Sequence, residues 1–429
     1  MKTLVRLIAP LVVLAWAGPA AAIPRFAART GMECIECHVS PGGAGVRNSY
    51  GRNIFEQAWL PLRLGAAPTT PYPADLSDED VERLAASVVE GADEQAPPFS
   101  GDVTDWLAVG GDVRAAYMWI RPDSGTTPTT PRDITNTFFL MESYFYLHGK
   151  LHPNVDVVLQ LGPYAGFEAW GLFRMRDEQS PWNLSIKVGR FMPAFGIREV
   201  EHQLYTRELV GFGNADRDTG IEVTGSFGPV TAQVGVFNGT LGDISLDTHG
   251  SERRTFEKAV VGRVSLRHDF GWLRSQVGLS AYFSEDSSQP TPLIAQIVPR
   301  SLSSVPDAGV NDLRLGGFLT ANIGRFTYLG DFVFVKNYFY SQDLPAISAY
   351  ASYQELSLAV IQGIDAVAML EFMDPNVAIA DNQFMRAGFA VEVYPLPFAE
   401  IRAMVRRMWT DTLATGGAWD FVLFAHLFM

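Results

Sequence analysis

From Thr104 to the C-terminus the chain repeats short segments in which apolar and polar residues alternate, and no stretch carries the 3.6-residue apolar period of a long helix. Period-two alternation sends successive side chains to opposite faces of extended backbone, so this part must build an all-β fold. The segments fall at 104–119, 136–149, 152–162, 166–176, 183–191, 220–226, 231–238, 256–267, 272–284, 312–323, 325–336, 349–360, 363–373, 383–394, 399–409 and 417–428. In 136–149, Phe139, Met141, Phe145 and Leu147 share one face, with Glu142, Tyr144 and His148 on the other. In 383–394, Met385, Ala387, Phe389, Val391 and Val393 oppose Arg386 and Glu392. A soluble sandwich buries its apolar faces and wets its charged ones, whereas a transmembrane barrel turns the apolar faces to lipid and the charges to the lumen.

Connection lengths separate the two. Long connections follow the odd segments (120–135, 192–219, 239–255, 285–311, 337–348, 374–382), and most of those after even segments are short, such as 268–271 and 395–398. Long loops on one rim, short turns on the other and an even strand count are features of a transmembrane barrel. The last segment, Trp419 to Phe428, alternates aromatics and suits a closing strand. No run of about 20 apolar residues offers a helical span. The expected fold is an all-β transmembrane barrel over 104–429, with about sixteen antiparallel strands.

At the other end, Lys2 and Arg6 precede an apolar run from Leu7 to Ala17, and Ala20, Ala21 and Ala22 supply the small residues of a cleavage site. Residues 1–22 read as a signal peptide, the alternative being a retained anchor. Export and a barrel together place the protein in the outer membrane of a Gram-negative bacterium, in contact with its lipid. A formal net charge of −14, more negative once Lys2 and Arg6 are removed, disfavours nucleic acid as a partner.

The chain has two cysteines, and they lie in Cys34-Ile35-Glu36-Cys37-His38. Two thiols at this spacing can form thioethers to the vinyl groups of one haem, and the adjacent imidazole can ligate its iron. A redox dithiol or a metal site uses the same spacing, but thioredoxin chemistry wants a βαβ setting and thiolate zinc wants more sulfur. One covalent c-type haem is therefore expected, with His38 as proximal ligand. No His, Met, Cys or Lys lies between Val39 and Val103, so the segment after the motif has no strong distal donor of its own.

The run Ser40-Pro41-Gly42-Gly43-Ala44-Gly45 should form a tight, permissive loop. Beyond it, Tyr50, Phe55 and Trp59 are placed to cover a haem edge, or simply to pack a core, and Arg52 to pair with a propionate. Residues 23–60 thus form a monohaem cytochrome c segment, and 61–103 a linker with a short helix from Ser77 to about Val89. So small a segment needs an outside wall to bury a haem. It can plug the lumen, which is the expectation, or hang below the barrel. His148 and His152, flanking the short turn between the second and third segments, and His202 in the 192–219 loop, are distal-ligand candidates or ordinary lumen or loop histidines. Arg174, Arg176, Lys187 and Arg190 are expected on the lumen face, where charges are normal.

Taken together, the haem segment from Thr30 to His38, then Tyr50-Gly51-Arg52 and Phe55, followed by a barrel to the terminus, resembles the fused monohaem cytochrome-porin family of iron-oxidising bacteria. That resemblance implies oxidation of extracellular Fe(II), delivery of electrons to a periplasmic c-type cytochrome or other soluble carrier, and an iron:cytochrome c oxidoreductase activity. Electron export to an external acceptor, a solute-conducting porin with a structural or sensory haem, and a haem enzyme such as a peroxide reductase remain alternatives. Separately, the run from Val188 to Gly196 looks like the Gly-Arg-Phe and Pro-x-Phe-Gly turn of phosphate-selective and related porins, which supports the barrel.

Overall fold

A barrel strand alternates because its two faces meet different media, and the computed structural model follows that rule around a closed wall. The structure describes residues 24–43, 45–48, 50–64, 101–122, 136–162, 167–176, 182–198, 204–210, 217–239, 258–287, 310–339, 346–410 and 417–428. A short strand β1 (Asp102–Thr104) doubles back on the start of β2 (Leu107–Pro122). The wall continues through β3 (Asn136–His152), β4 (Val155–Leu161), β5 (Glu168–Arg176), β6 (Trp182–Phe191), β7 (Asp218–Phe227), β8 (Val230–Phe237), β9 (Ala259–Asp269) and β10 (Arg274–Ser287). It is completed by β11 (Val310–Ile323), β12 (Phe326–Phe339), β13 (Ile347–Ile361), β14 (Ile364–Asp374), β15 (Phe384–Leu396), β16 (Ala399–Thr410) and β17 (Ala418–Phe428).

Strands β2 to β17 pair antiparallel in chain order, and β17 returns to β2 from Ala418 opposite Pro122 to Phe428 opposite Asp112. Sixteen strands so joined leave no sheet edge. Short turns such as Pro153-Asn154, Gly324-Arg325 and Gln362-Gly363 lie at one rim, and the long connections at the other.

Burial is inverted relative to a soluble protein. Arg406 on β16 is 1% exposed, whereas Phe138 on β3 is 82% exposed. Along β15, Arg386, Ala390, Glu392 and Tyr394 are buried, and Met385, Phe389 and Val391 face outward. An exposed apolar belt around a polar interior is stable only against lipid. Inward charges are matched across neighbouring strands. Arg386 lies opposite Glu371 and donates two hydrogen bonds of 2.8 Å to it, and Arg406 lies opposite Asp420 at 2.8 Å.

The expected stripe on β3 is broken. Arg114 pairs with Glu142 and Ala115 with Leu140, so Met141 has no cross-strand partner and forms a bulge. A bulge adds one residue to one strand and so reverses the phase of alternation. Phe138 and Leu140 therefore face lipid, and Phe139 and Met141 pack inward, away from the face of Phe145. β3 also runs on through His152, three residues beyond the expected end. The signal peptide and the Ser77–Val89 helix lie outside the described residues.

Two pieces of chain contact inward-facing residues of the wall. The first, residues 24–64, carries α1 (Pro24–Thr30), a single turn α2 (Cys34–Cys37) and a π-helical segment Gly51–Trp59. It is stitched to the short-turn end: the Leu62 amide donates to the Tyr394 carbonyl at 2.7 Å, and Gln362 Nε2 donates to the Pro61 carbonyl at 3.1 Å. The second is the connection after β6. Its Gly196 amide donates to Ser280 Oγ at 2.9 Å, and its helix α3 (Tyr205–Val210) packs on β12, β13 and β14. Among the described residues no helix is long and apolar enough to cross a membrane.

Candidate functional site

The site is the narrowed lumen, and its parts follow from local sequence. After β6, the run Met192 to Ile197 is too apolar for a wet loop and turns inward. Gly196 sits at φ +56°, and a Cβ there would stand 3.2 Å from Asp331 Oδ1, so glycine lets the chain pass the wall. Arg263 Nε donates to its carbonyl at 3.1 Å.

The 24–64 segment folds around α2. Asn48 Nδ2 donates to the Ile35 and Glu36 carbonyls at 2.9 Å each, and the Gly51 amide donates to Asn48 Oδ1 at 2.9 Å. A Cβ on Gly51 would lie 2.3 Å from the Cys37 carbonyl oxygen, so only glycine lets the π-helical segment cross this turn. Ser40 to Gly43 close a tight turn through a 2.9 Å backbone bond, as the Pro-Gly-Gly run predicts.

Ion pairs hold the segment to the wall. Arg25 donates to Glu355 at 2.7 Å and pairs with Glu392, Arg29 pairs with Asp365 at 2.8 Å, and Arg267 of β9 pairs with Glu33. Within the segment, Arg47 pairs with Glu56. Burial nevertheless pushes the Glu56 carboxyl up to about 7.

Two cavities flank α2. One, of about 180 Å³, is lined by Cys37 and His38 and by Arg25, Arg47, Arg114 and Arg402. The other, of about 70 Å³, is lined by Cys34, Ser40, Lys187, Arg198 and Arg263. Both cysteines are free, and burial pushes both thiols above the usual range, so they are held protonated. An apolar shell surrounds them. Cys37, Phe55, Leu60, Tyr394 and Phe428 form its buried part, with Phe26, Met32, Cys34, Tyr50 and Trp59 packed against it. Phe26 meets Phe55 edge-on at 5.5 Å and Tyr394 at 5.7 Å.

The structure thus brings Cys34, Cys37, Tyr50, Phe55 and Trp59 into one cluster, with His38 facing the larger cavity. Arg52 is placed elsewhere: it donates to the Arg47 carbonyl at 2.6 Å and pairs with Asp102. His148 is hydrogen-bonded to Asp156 at 2.7 Å, and His152 is exposed at the rim, where its Nδ1 accepts the Asn154 amide at 3.2 Å. Neither lines the cavity onto which His38 opens. His202 lies outside the described residues. Arg174 pairs with Asp156, and Lys187 and Arg190 are buried on the lumen face as expected; the side chain of Arg176 lies outside the described set. Sequence reasoning missed Phe26, Met32, Tyr394 and Phe428, and also Arg198, Arg217 and Arg263. Tyr394 and Phe428 belong to strands more than 300 positions away and gave no local signal.

No family model matches the chain, and no curated relative matches it. Solved structures share its fold. OmpT of Vibrio cholerae superposes with a TM-score of 0.50 at 10% identity, covering 76% of this chain and 99% of that one. The anion-selective porin from Comamonas acidovorans gives 0.51 at 12% identity, over 75% and 99%. The channel DcaP of Acinetobacter baumannii gives 0.50 at 9%, over 75% and 97%. These likenesses establish the porin-type barrel fold.

They also correct the reading by resemblance. The shared fold is that of outer-membrane porins and channels, and nothing matched supports the fused monohaem cytochrome-porin family. The Fe(II)-oxidising electron-transfer function drawn from that resemblance is replaced with it. Among the described residues no group of three or more His, Cys, Asp or Glu is arranged to take up a metal ion. The barrel and porin parts of the sequence reading are supported, and its cytochrome, iron and oxidoreductase parts are not.

Proposed function

We propose that the protein is a solute-conducting channel of the outer membrane of a Gram-negative bacterium, its lumen narrowed by residues 24–64 and by the connection after β6. The observation that carries this reading is the closed sixteen-stranded wall with ionised side chains inward and an apolar belt outward. A barrel of this strand number leaves an aqueous interior unless chain fills it, and here two segments fill part of it. The named channels of the same fold are in keeping with such a role. The purified full-length protein in liposomes should admit small charged and neutral solutes and exclude larger ones in osmotic swelling assays. Liposomes that carry folded protein yet swell no faster than empty ones would overturn the proposal.

We also propose that Cys34, Cys37 and His38 hold one c-type haem with a structural or sensory role. The donor set fits in kind: Cys37 and His38 line the larger cavity and the partly buried Cys34 lies on the other side of the same turn, within an aromatic shell formed by Phe26, Tyr50, Phe55, Tyr394 and Phe428. Arg25, Arg47 and Arg402 line the same cavity and are suited to carboxylate groups. A bound haem supplies a redox-active iron and a flat apolar body; the residues here exclude water around that body and fix the segment in the lumen. Protein exported with a cytochrome c maturation system should show a haemochrome spectrum that survives denaturation and is lost in the Cys34→Ser, Cys37→Ser variant. A wild-type product with no such spectrum would refute it.

A further inference from the structure

The outer face of the wall is apolar, yet on β16, β17 and β2 it carries two arginines in one row. On β16, Arg406 is buried and pairs with Asp420 in the lumen, so Arg407 next to it faces outward, as does Trp409 two residues on. Arg407 lies opposite Trp419 of β17, and Trp419 lies opposite Arg121 of β2. Trp409 and Trp419 are exposed on the apolar belt, as are Arg121 and, two residues from it, Trp119. The row across three neighbouring strands thus reads Arg, Trp, Arg, with two more indoles beside it.

Arg407 is held in place. Its guanidinium lies 5.7 Å from the Trp409 ring centre and 5.5 Å from that of Trp419. Gly417 makes room for it: the backbone there sits at φ +139°, and a Cβ would stand 3.2 Å from Arg407 Nη2. Arg121 is the last residue but one of β2 and Trp419 the second of β17, so the row lies at the rim of the long connections. At that level an aromatic girdle meets lipid headgroups, and an outward arginine costs little. Among the described residues of β16, β17, β2 and β3 no carboxylate faces outward; Asp112, Glu142, Glu400 and Asp420 all turn into the lumen, where they pair. The patch therefore has positive sign.

We propose that this patch binds a phosphorylated glycolipid of the outer leaflet, with Arg407 and Arg121 taking phosphate oxygens and the indoles lying along its sugar rings and upper acyl chains. The inference rests on the barrel's place in the outer membrane and does not depend on conduction. A guanidinium fork matches phosphate oxygens in pairs. Two strand spacings set the arginine Cα atoms roughly 10 Å apart. With Trp419 between them, that width suits a headgroup of sugar and more than one phosphate better than a lone phosphate ion. A second copy of the chain docked through the same face would bring arginine against arginine.

Lipid A, a bisphosphorylated glucosamine disaccharide with acyl chains, is the test ligand. Full-length protein in detergent should take it up saturably, as read by native mass spectrometry, and should take up dephosphorylated lipid A or phosphatidylglycerol far less well. Arg407→Gln and Arg121→Gln should each weaken uptake about tenfold, with Arg407→Lys intermediate because an ammonium keeps the charge and loses the fork. Lys336→Gln, which removes a cation at the same end of β12, should leave uptake unchanged, and every variant should keep the heat-modifiable migration of a folded barrel. Equal uptake of lipid A and phosphatidylglycerol, or arginine variants that bind like wild type, would overturn the site. A loss of the same size in Lys336→Gln would mean that rim charge in general is responsible, which also overturns it. So would an oligomer that the two arginine substitutions split into single chains, because the face would then be an interface between copies. Lipid A held as expected by a protein that passes no current would leave this site standing and overturn the channel.

Discussion

Replacing Arg25 by methionine keeps most of the aliphatic stem and removes the charge that fastens the lumen segment. Arg25 is 8% exposed, lies 2.7 Å from Glu355, pairs with Glu392 and has Asp365 at 4.0 Å. At an effective dielectric of about 20, the Glu355 contact alone is worth roughly 6 kcal/mol before desolvation, and breaking a buried pair costs a net ~3–5 kcal/mol. Two of the three carboxylates keep another cation, Glu392 through Arg402 at 3.3 Å and Asp365 through Arg29 at 2.8 Å, so the stranded group is Glu355. The expected cost is therefore about 2–3 kcal/mol, a shift of about 30- to 150-fold in the ratio of docked to released segment. Protease cleavage within residues 24–64 reads the released population when release and redocking are fast relative to cutting. Arg25→Met should speed that cleavage by such a factor while the barrel itself stays resistant. Adding Glu355→Gln should recover part of the loss, because the uncompensated carboxylate goes with it. Equal cleavage of Arg25→Met and wild type, or a double variant worse than the single by the full additive amount, would refute the reasoning.

Three further outcomes follow from the same contacts. Gly51→Ala puts a methyl 2.3 Å from the Cys37 carbonyl oxygen and should loosen the segment by about 1–3 kcal/mol, read as faster proteolysis with unchanged heat-modifiable migration of the barrel. Burial raises the Glu56 carboxyl from 4.5 to about 7, so the docked state prefers the protonated form. Docking is then strongest below about pH 4.5 and weakens as pH rises through about 7, and Glu56→Gln should flatten that dependence in protease protection from pH 5 to 8. Leu279 on β10 is 63% exposed on the outer face, and Leu279→Lys should cost roughly 2–4 kcal/mol in urea unfolding from lipid vesicles; an unchanged midpoint would mean this face does not meet hydrocarbon.

The wall was legible because lipid and lumen impose opposite demands on alternate residues, and Met385, Phe389, Arg386 and Glu392 state those demands in plain alternation. Rim assignment was legible for a related reason: turns such as Gln362-Gly363 are short, whereas the connection after β6 is long. Met141 misled because a bulge adds one residue without any residue-type signal. The long connection after β6 was expected at the rim and lies partly inside the barrel. Its apolar content, Met192, Phe195, Ile197, Leu204 and Tyr205, was the available clue. The Cys34–His38 motif was visible by spacing, and the local aromatics Tyr50, Phe55 and Trp59 that pack beside it follow it closely in sequence. Tyr394 and Phe428 were not, because barrel closure and segment docking bring them there and neither event has a local pattern. The cations Arg121 and Arg407 drew no notice as a pair, since only barrel closure, with β17 set between β16 and β2, brings them into one row.

Single-channel recording of the full-length protein in planar lipid bilayers tests the central claim most directly. The account predicts discrete, reproducible current steps in simple salt from protein that migrates as a folded barrel. Folded protein that inserts into the bilayer and remains electrically silent across the accessible voltage range would contradict it.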